Sequence, residues 1–328
     1  MLLEYLEDDK NVVVENLDLL CLKQGKWLDI GQKKSFLTNQ IDMGRKIVFW
    51  TKENAEFFLP GEFDHKFVGF ENLLGKHYDS NHWCVTTPSV MLKPYKNHFT
   101  NYDNWAENFW LEEHQVDHPN SKPFSLLFLT GSDQTHRCLM LNSLNAELLE
   151  NSLWSFNKLQ SDSLGPRCVK TIPAEYEWPE YADKQFAGKS MLSKKPYWPQ
   201  YRDTVLSLVT ETLVSDQLIY TSEKTFKPIL SKHVFVILGS VGILENLKSI
   251  GFKTFDKIFD ESYDRIEDLK EKIDAISKLV SQIANMDSKK LYDQTKSIRD
   301  HNYNLIKDQK HFRALDKGTY ERIKRYLT

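Results

Sequence analysis

Phe124-Ser125-Leu126-Leu127-Phe128-Leu129, closed by Thr130-Gly131, is an unbroken apolar run too short for an ordinary helix and bounded by a turn signal. It reads as a strand buried on both faces, as in a parallel sheet covered by helices. The chain after it repeats the alternation. The polar loop Ser132–His136 leads into a helical stretch whose Leu139, Met140, Leu144 and Leu148 recur near the 3.6-residue period. Leu153–Phe156 is a short strand, and 157–200 is irregular, with Pro166, Pro173, Pro179, Pro196 and Pro199. Val205–Val209 then reads as a strand and Ser222–Ser231 as a helix, short or kinked because of Pro228. Val234–Leu238 is a buried strand closed by Gly239-Ser240, and Ile243–Ile250 is again helical. Strands alternating with helices predict an α/β fold.

Upstream, Lys46–Trp50 is β-branched and aromatic and ends in the polar loop Thr51–Asn54. Lys66–Phe70 and Trp83–Thr86 are further strand candidates. Residues 1–45 are mixed and charged, with short apolar runs at Asn11–Val14 and Leu17–Leu20, and 94–122 read as a connector rather than an element. Downstream, Ile266, Leu269, Ile273, Ile276 and Leu279 form an apolar helical stripe that Leu291, Ile298 and Leu305 extend. The expected division is 1–121, an α/β domain; 122–310, a second α/β domain; and 311–328, a helix packing back on the first.

The chain has 328 residues, with 43 Lys+Arg against 46 Asp+Glu and a net charge of −3. At 41% hydrophobic and 12% aromatic it is not a disordered chain, and its charge balance disfavours a broadly basic nucleic-acid binder. No apolar run reaches the length of a membrane span. The acidic N-terminus does not read as a secretory signal. Cys21, Cys84, Cys138 and Cys168 form no CxxC and are expected as core thiols in a reducing cytoplasm.

Four places could carry chemistry. In Tyr220-Thr221-Ser222-Glu223-Lys224 a hydroxyl pair precedes a helix, whose N-terminus suits phosphate; Lys224 would reach a phosphate and Glu223 a ribose. The ordinary alternative is a capped helix with a surface ion pair. At a strand-to-helix junction, Arg137 could grip a diphosphate with its fork, while His136 reads as structural. Glu53 follows a strand and could serve as a general base, and Glu211 stands at another strand's carboxyl end. There is no GxxxxGK[ST], GxGxxG or HExxH.

These pieces together resemble the bacterial α-1,3-fucosyltransferases. Lys46–Asn54 (KIVFWTKEN) and Lys66–Glu71 (KFVGFE) resemble the family's strand and T-x-E-N loop, then its A-I-G-F-D strand. Leu206–Thr212 (LSLVTET) resembles the strand ending in F-E-N, Tyr220–Lys224 (YTSEK) resembles Y-V-T-E-K, and Val234–Ser240 (VFVILGS) resembles the apolar strand ending in W-G-S. Thr210 and Thr212 stand where the family has phenylalanine and asparagine. The resemblance implies a GT-B fold, two Rossmann-like domains facing across a cleft with C-terminal helices. It implies an inverting, metal-independent transfer from a GDP-fucose-like donor, with no other cofactor. Glu53 falls on the family's base, Arg137 on its diphosphate arginine, and Glu211, Tyr220, Ser222, Glu223 and Lys224 on its nucleotide contacts.

The expected partners are a nucleotide-sugar donor and a glycan acceptor. Two alternatives stand beside this expectation. The Lys-, Asn- and Asp-rich composition resembles that of AT-rich viral coding, and phages use glycosyltransferases to modify hydroxymethylated bases in DNA. The departures at Thr210 and Thr212 suit a non-catalytic glycan-binding protein on a transferase scaffold.

Overall fold

A computed structural model describes residues 2–16, 30–50, 74–77, 79–87, 90–91, 98–100, 102, 118–130, 134–156, 198–215 and 218–328. Glu53, the strand candidate Lys66–Phe70, Cys21, Cys168 and most of the insert 157–200 lie outside the described residues. The chain forms two compact units: Met1–Glu107 with Gln309–Thr328, and Asn108–Asp308.

The first unit is built on four parallel strands: β1 (Val12–Asn16), β2 (Lys46–Trp50), β3 (Trp83–Thr87) and β4 (His98–Thr100), paired in that order. Alternation along β2 decides what each face buries. Ile47 and Phe49 join Leu37 and Ile41 of helix α2 (Ile30–Asp42), with Leu74, Trp83 and Val85. Val48 points the other way, onto Leu2 and Leu6 of α1 (Leu2–Glu7), with Cys84 and the last helix's Ile323 and Leu327. Burial pushes the Cys84 thiol far up, so it is an inert core group. The sequence leaves β1 and β4 unassigned. Both stand within mixed or polar stretches, and β4 is fixed by tertiary bonds nearby: Thr319 donates to the Thr100 carbonyl at 3.0 Å, and the Tyr102 N–H to Asp316 at 2.9 Å.

The second unit carries β5 (Phe124–Thr130), β6 (Ser152–Phe156), β7 (Thr204–Thr210) and β8 (Val234–Leu238), all parallel, in the order β8-β7-β5-β6. The chain runs outward from β5 to β6, then returns to β5's other side, so the order reverses between β5 and β7. Such a switch point is where open α/β sheets place ligands, beyond the carboxyl ends. The helix expected through Leu148 is two, α3 (Thr135–Ser143) and α4 (Ala146–Glu150), because the Asn145 side chain accepts from the Leu148 N–H and restarts the turn. Then come α5 (Trp198–Asp203), α6 (Glu223–Leu230), α7 (Ile243–Ser249), α8 (Leu269–Ala284) and α9 (Ser288–Ile306); α10 (Gln309–Leu327) completes the first unit.

The apolar stripe of α8 buries Ile273, Ile276 and Leu279 as its spacing predicts. In α9 the expected stripe is corrected. The buried face is Leu291, Tyr292, Thr295, Arg299, Asn302 and Ile306, with Ile298 and Leu305 only half-buried. Polar residues turn inward there because each meets a backbone partner: Arg299 donates to the Lys232 and Tyr292 carbonyls, and Asn302 exchanges two bonds with Lys253. The fold expected of a GT-B chain, two Rossmann-like α/β units with C-terminal helices, is what these elements make. Among the described residues no helix is long and apolar enough to cross a membrane.

The amino edge of the second sheet holds a polar cluster. His118 donates to the Ser231 carbonyl at 2.7 Å, and Lys122 to the His118 Nδ1 at 3.0 Å. His233 bridges the Ser207 hydroxyl at 2.8 Å and the Thr204 carbonyl at 2.8 Å. The Tyr292 ring lies beneath both Lys122, at 4.5 Å, and Arg299, at 4.3 Å. Burial, with Lys122 adding to it, pushes His118 down to about 3. Unfolded, that ring binds its proton near pH 6.5. Between those values protonation favours the unfolded chain, so the contribution is complete above about pH 6.5 and is lost as the pH falls toward about 3. The thermal midpoint is expected to fall on acidification below about pH 6.5, and less steeply in His118→Gln. Melting curves across that range check it; identical slopes in the two proteins would contradict it.

Candidate functional site at the carboxyl edge of the second sheet

β7 ends at Thr210, and the next residue organises everything around it. Glu211 is fully buried, and its N–H donates to the Leu238 carbonyl at 2.9 Å, continuing the pairing with β8. Its own carbonyl accepts from His136 Nε2 at 2.9 Å and from the Arg137 guanidinium at 3.2 Å, both in the first turn of α3. Its carboxylate accepts from the Ser222 N–H at 2.9 Å, the Thr225 hydroxyl at 2.6 Å and the Ser222 hydroxyl. Glu211 therefore joins the start of α3 to the start of α6 across the switch point.

Expected as a nucleotide contact, Glu211 has its carboxylate on the first turn of α6. A helix N-terminus attracts an anion because its first N–H groups are unpaired and its dipole is positive there. Here the protein supplies that anion itself. Ser222 is the N-cap, in extended conformation, and its hydroxyl accepts from the Lys224 N–H at 3.2 Å. The helix is short, as Pro228 predicts: it spans Glu223–Leu230 with Pro228 inside.

Lys224 extends its ammonium to the Thr212 hydroxyl at 3.0 Å and to Glu223 at 2.9 Å. Burial works against the Glu223 carboxylate, but the charges of Lys224 and Lys227 prevail and hold it below the usual range. Tyr220 is buried just ahead of this turn. The structure thus gathers Arg137, Glu211, Ser222, Glu223 and Lys224 at one edge: Arg137 bonds residue 211, and Lys224 bonds residue 212. Glu53 is outside the described residues. His136 is structural; burial pushes it down to about 4, so it is neutral at pH 7 and donates to a backbone carbonyl.

Sequence reasoning passed over Lys227. It is half-buried, one turn beyond Lys224, and burial lowers it to about 8, with Glu223 opposing and Lys224 adding to the shift. The signal was present in the i, i+3 spacing of two lysines behind a cap. Arg137, Lys224 and Lys227 supply three cationic side chains near the strand ends, against the carboxylates of Glu211 and Glu223. The Glu211 carboxylate is engaged by four donors, the Thr212 and Ser222 N–H groups and the Ser222 and Thr225 hydroxyls, while Lys224 pairs with Glu223.

No protein-family model and no curated protein sequence matches this chain. Among solved structures, it is similar to T4 phage BGT in complex with UDP and Mn2+, at a TM-score of 0.40 and 10% identity, over 96% of this chain and 82% of that one. A likeness at that level assigns neither family nor ligand. Against the expectation of a metal-independent reaction, that structure holds Mn2+ beside UDP. Among the described residues no group of three or more His, Cys, Asp or Glu could hold a metal ion.

Replacing Glu211 by alanine removes one acceptor group from three buried donors. Charged hydrogen bonds of this kind make the expected cost about 3 kcal/mol. A urea unfolding curve measures it; a change under about 0.5 kcal/mol, the size of a neutral surface substitution, would contradict the role.

Proposed function

We propose that the chain is an inverting glycosyltransferase, whose second unit holds the diphosphate of a nucleotide-sugar donor at the carboxyl edge of its parallel sheet. The observation that carries this reading is the joining of Arg137 and Lys224 through consecutive residues, Glu211 and Thr212, at the switch point of the strand order. Two cations of different geometry, a planar fork and a point charge, suit two linked phosphates.

The chemistry asks for this arrangement. An acceptor hydroxyl attacks the anomeric carbon as a carboxylate takes its proton. The bond to the diphosphate breaks, and negative charge collects on the departing oxygen. Fixed positive groups stabilise that charge without reorganising. Arg137 and Lys224 fill this role, with Lys227 behind them, while Glu223 takes the ribose hydroxyls and Tyr220 and Ser222 shape the turn. Glu53 is assigned as the base on its sequence resemblance to the fucosyltransferase T-x-E-N loop. The same resemblance makes the donor GDP-fucose-like and the acceptor a glycan hydroxyl, with hydroxymethylated DNA bases as the alternative acceptor.

The test is transfer and hydrolysis with a panel of uridine and guanosine sugar nucleotides, offered with oligosaccharides and with hydroxymethylated DNA. Arg137→Ala and Lys224→Ala are each expected to lower kcat about 10²–10³-fold. Glu53→Gln is expected to lower transfer by at least about 10²-fold while leaving donor binding intact. Folded protein that binds no sugar nucleotide would overturn the reading. Full glycan binding without a donor, unchanged by Glu53→Gln, would replace it with a non-catalytic scaffold.

A further inference from the structure

The diphosphate reading leaves unused a set of polar side chains at the same edge. Thr130 ends β5 and Thr210 ends β7, and both hydroxyls are buried without a hydrogen-bond partner. The hydroxyl of Thr221, directly before the cap Ser222, is in the same condition, and so is the side-chain carbonyl of Gln134, the residue before α3. The three threonines are 3%, 2% and 6% exposed.

Their neighbours bring them together. Thr210 and Thr221 immediately precede the two residues joined by the Ser222 N–H to Glu211 bond, and Gln134 stands two residues ahead of His136, which bonds the Glu211 carbonyl. The β5–β7 ladder pairs Phe124 with Thr204, Leu126 with Leu206 and Leu127 with Ser207. The same offset sets Thr130 level with Thr210, on one face of the sheet. That ladder ends at Leu127, although β7 stays paired to β8 up to Thr210, and β5 to β6 up to Thr130. The sheet loosens at its switch point, where the unpartnered groups stand.

Folded proteins pair nearly all buried polar atoms, so several unpaired ones at two neighbouring strand ends and the helix starts beside them need a reason. The Gln134 side-chain carbonyl can only accept, which argues against phosphate as the shared ligand. Hydroxyls both donate and accept, which is what the neighbouring hydroxyls of a sugar ring require. We propose that Thr130, Gln134, Thr210 and Thr221 form a subsite that reads the hydroxyls of a sugar ring attached directly to the diphosphate. The subsite rests on the donor reading above. Screened from bulk water, each bond to the ring forms without competition from solvent. The ring is either the ribose or the transferred sugar, and the experiment separates them.

Thr210→Val and Thr221→Val keep the side chain's shape and remove the hydroxyl; Thr210→Ser keeps the hydroxyl. Calorimetric titration with UDP, GDP and their sugar conjugates, together with thermal melting, gives the test. Each valine variant is expected to melt no lower than wild type, because an unpaired buried hydroxyl is removed. Each is also expected to bind about tenfold more weakly, while Thr210→Ser binds as wild type does. Weakening toward both nucleoside diphosphate and sugar nucleotide identifies the ribose; weakening toward the sugar nucleotide alone identifies the transferred sugar. Wild-type binding that survives both valine substitutions overturns the subsite and leaves the donor reading standing. Absence of nucleotide binding by folded wild type overturns the donor reading, and the subsite with it.

Discussion

The carboxylate of Glu211 sits where the helix dipole of α6 would otherwise draw an anion from solution, and its backbone carbonyl anchors the first turn of α3. One residue thereby fixes two helix starts that flank the strand-order reversal. Arg137 and Lys224 are held by this arrangement rather than by each other. Under the proposed function, a donor arriving at the edge would meet cations already positioned, and little ordering cost would remain to be met on binding.

The two ends of the second sheet use polar residues in opposite ways. At the amino edge His118, Lys122, His233 and Arg299 all have carbonyl, hydroxyl or ring partners, and two cations share the face of Tyr292. Such a network locks β5, β7, β8 and α9 into one body. At the carboxyl edge several hydroxyls have none. The bonded network of these four residues lies at one end, and the unpartnered threonine hydroxyls lie at the end where chemistry is proposed.

Much of the architecture was legible because parallel strands covered on both faces must be apolar throughout. Lys46–Trp50, Phe124–Leu129 and Val234–Leu238 announce themselves by composition. The helix α9 misled because apolar spacing is a poor guide where Arg299 and Asn302 bury themselves by bonding backbone carbonyls. The bonding of Glu211 was hidden for a related reason. A carboxylate at a strand end looks available until its partners are known, and here those partners, Ser222 and Thr225, lie beyond another loop and strand. The cap at Ser222 was readable locally; the long-range bond that orients it was not. The unpaired threonines carry no sequence signal, since a buried threonine is identified by what fails to approach it.

The first unit is discontinuous: its sheet comes from the beginning of the chain, but α10, which covers Val48 and Cys84 together with α1, comes after the whole of the second unit. During synthesis the ribosome releases the later unit before the earlier one has its closing helix. The second unit is thus free to complete its core first, while Val12, Val14 and Phe99 wait with one side uncovered. A nascent chain stalled before α10 would carry every residue of the second unit beside a first unit that still lacks its last helix.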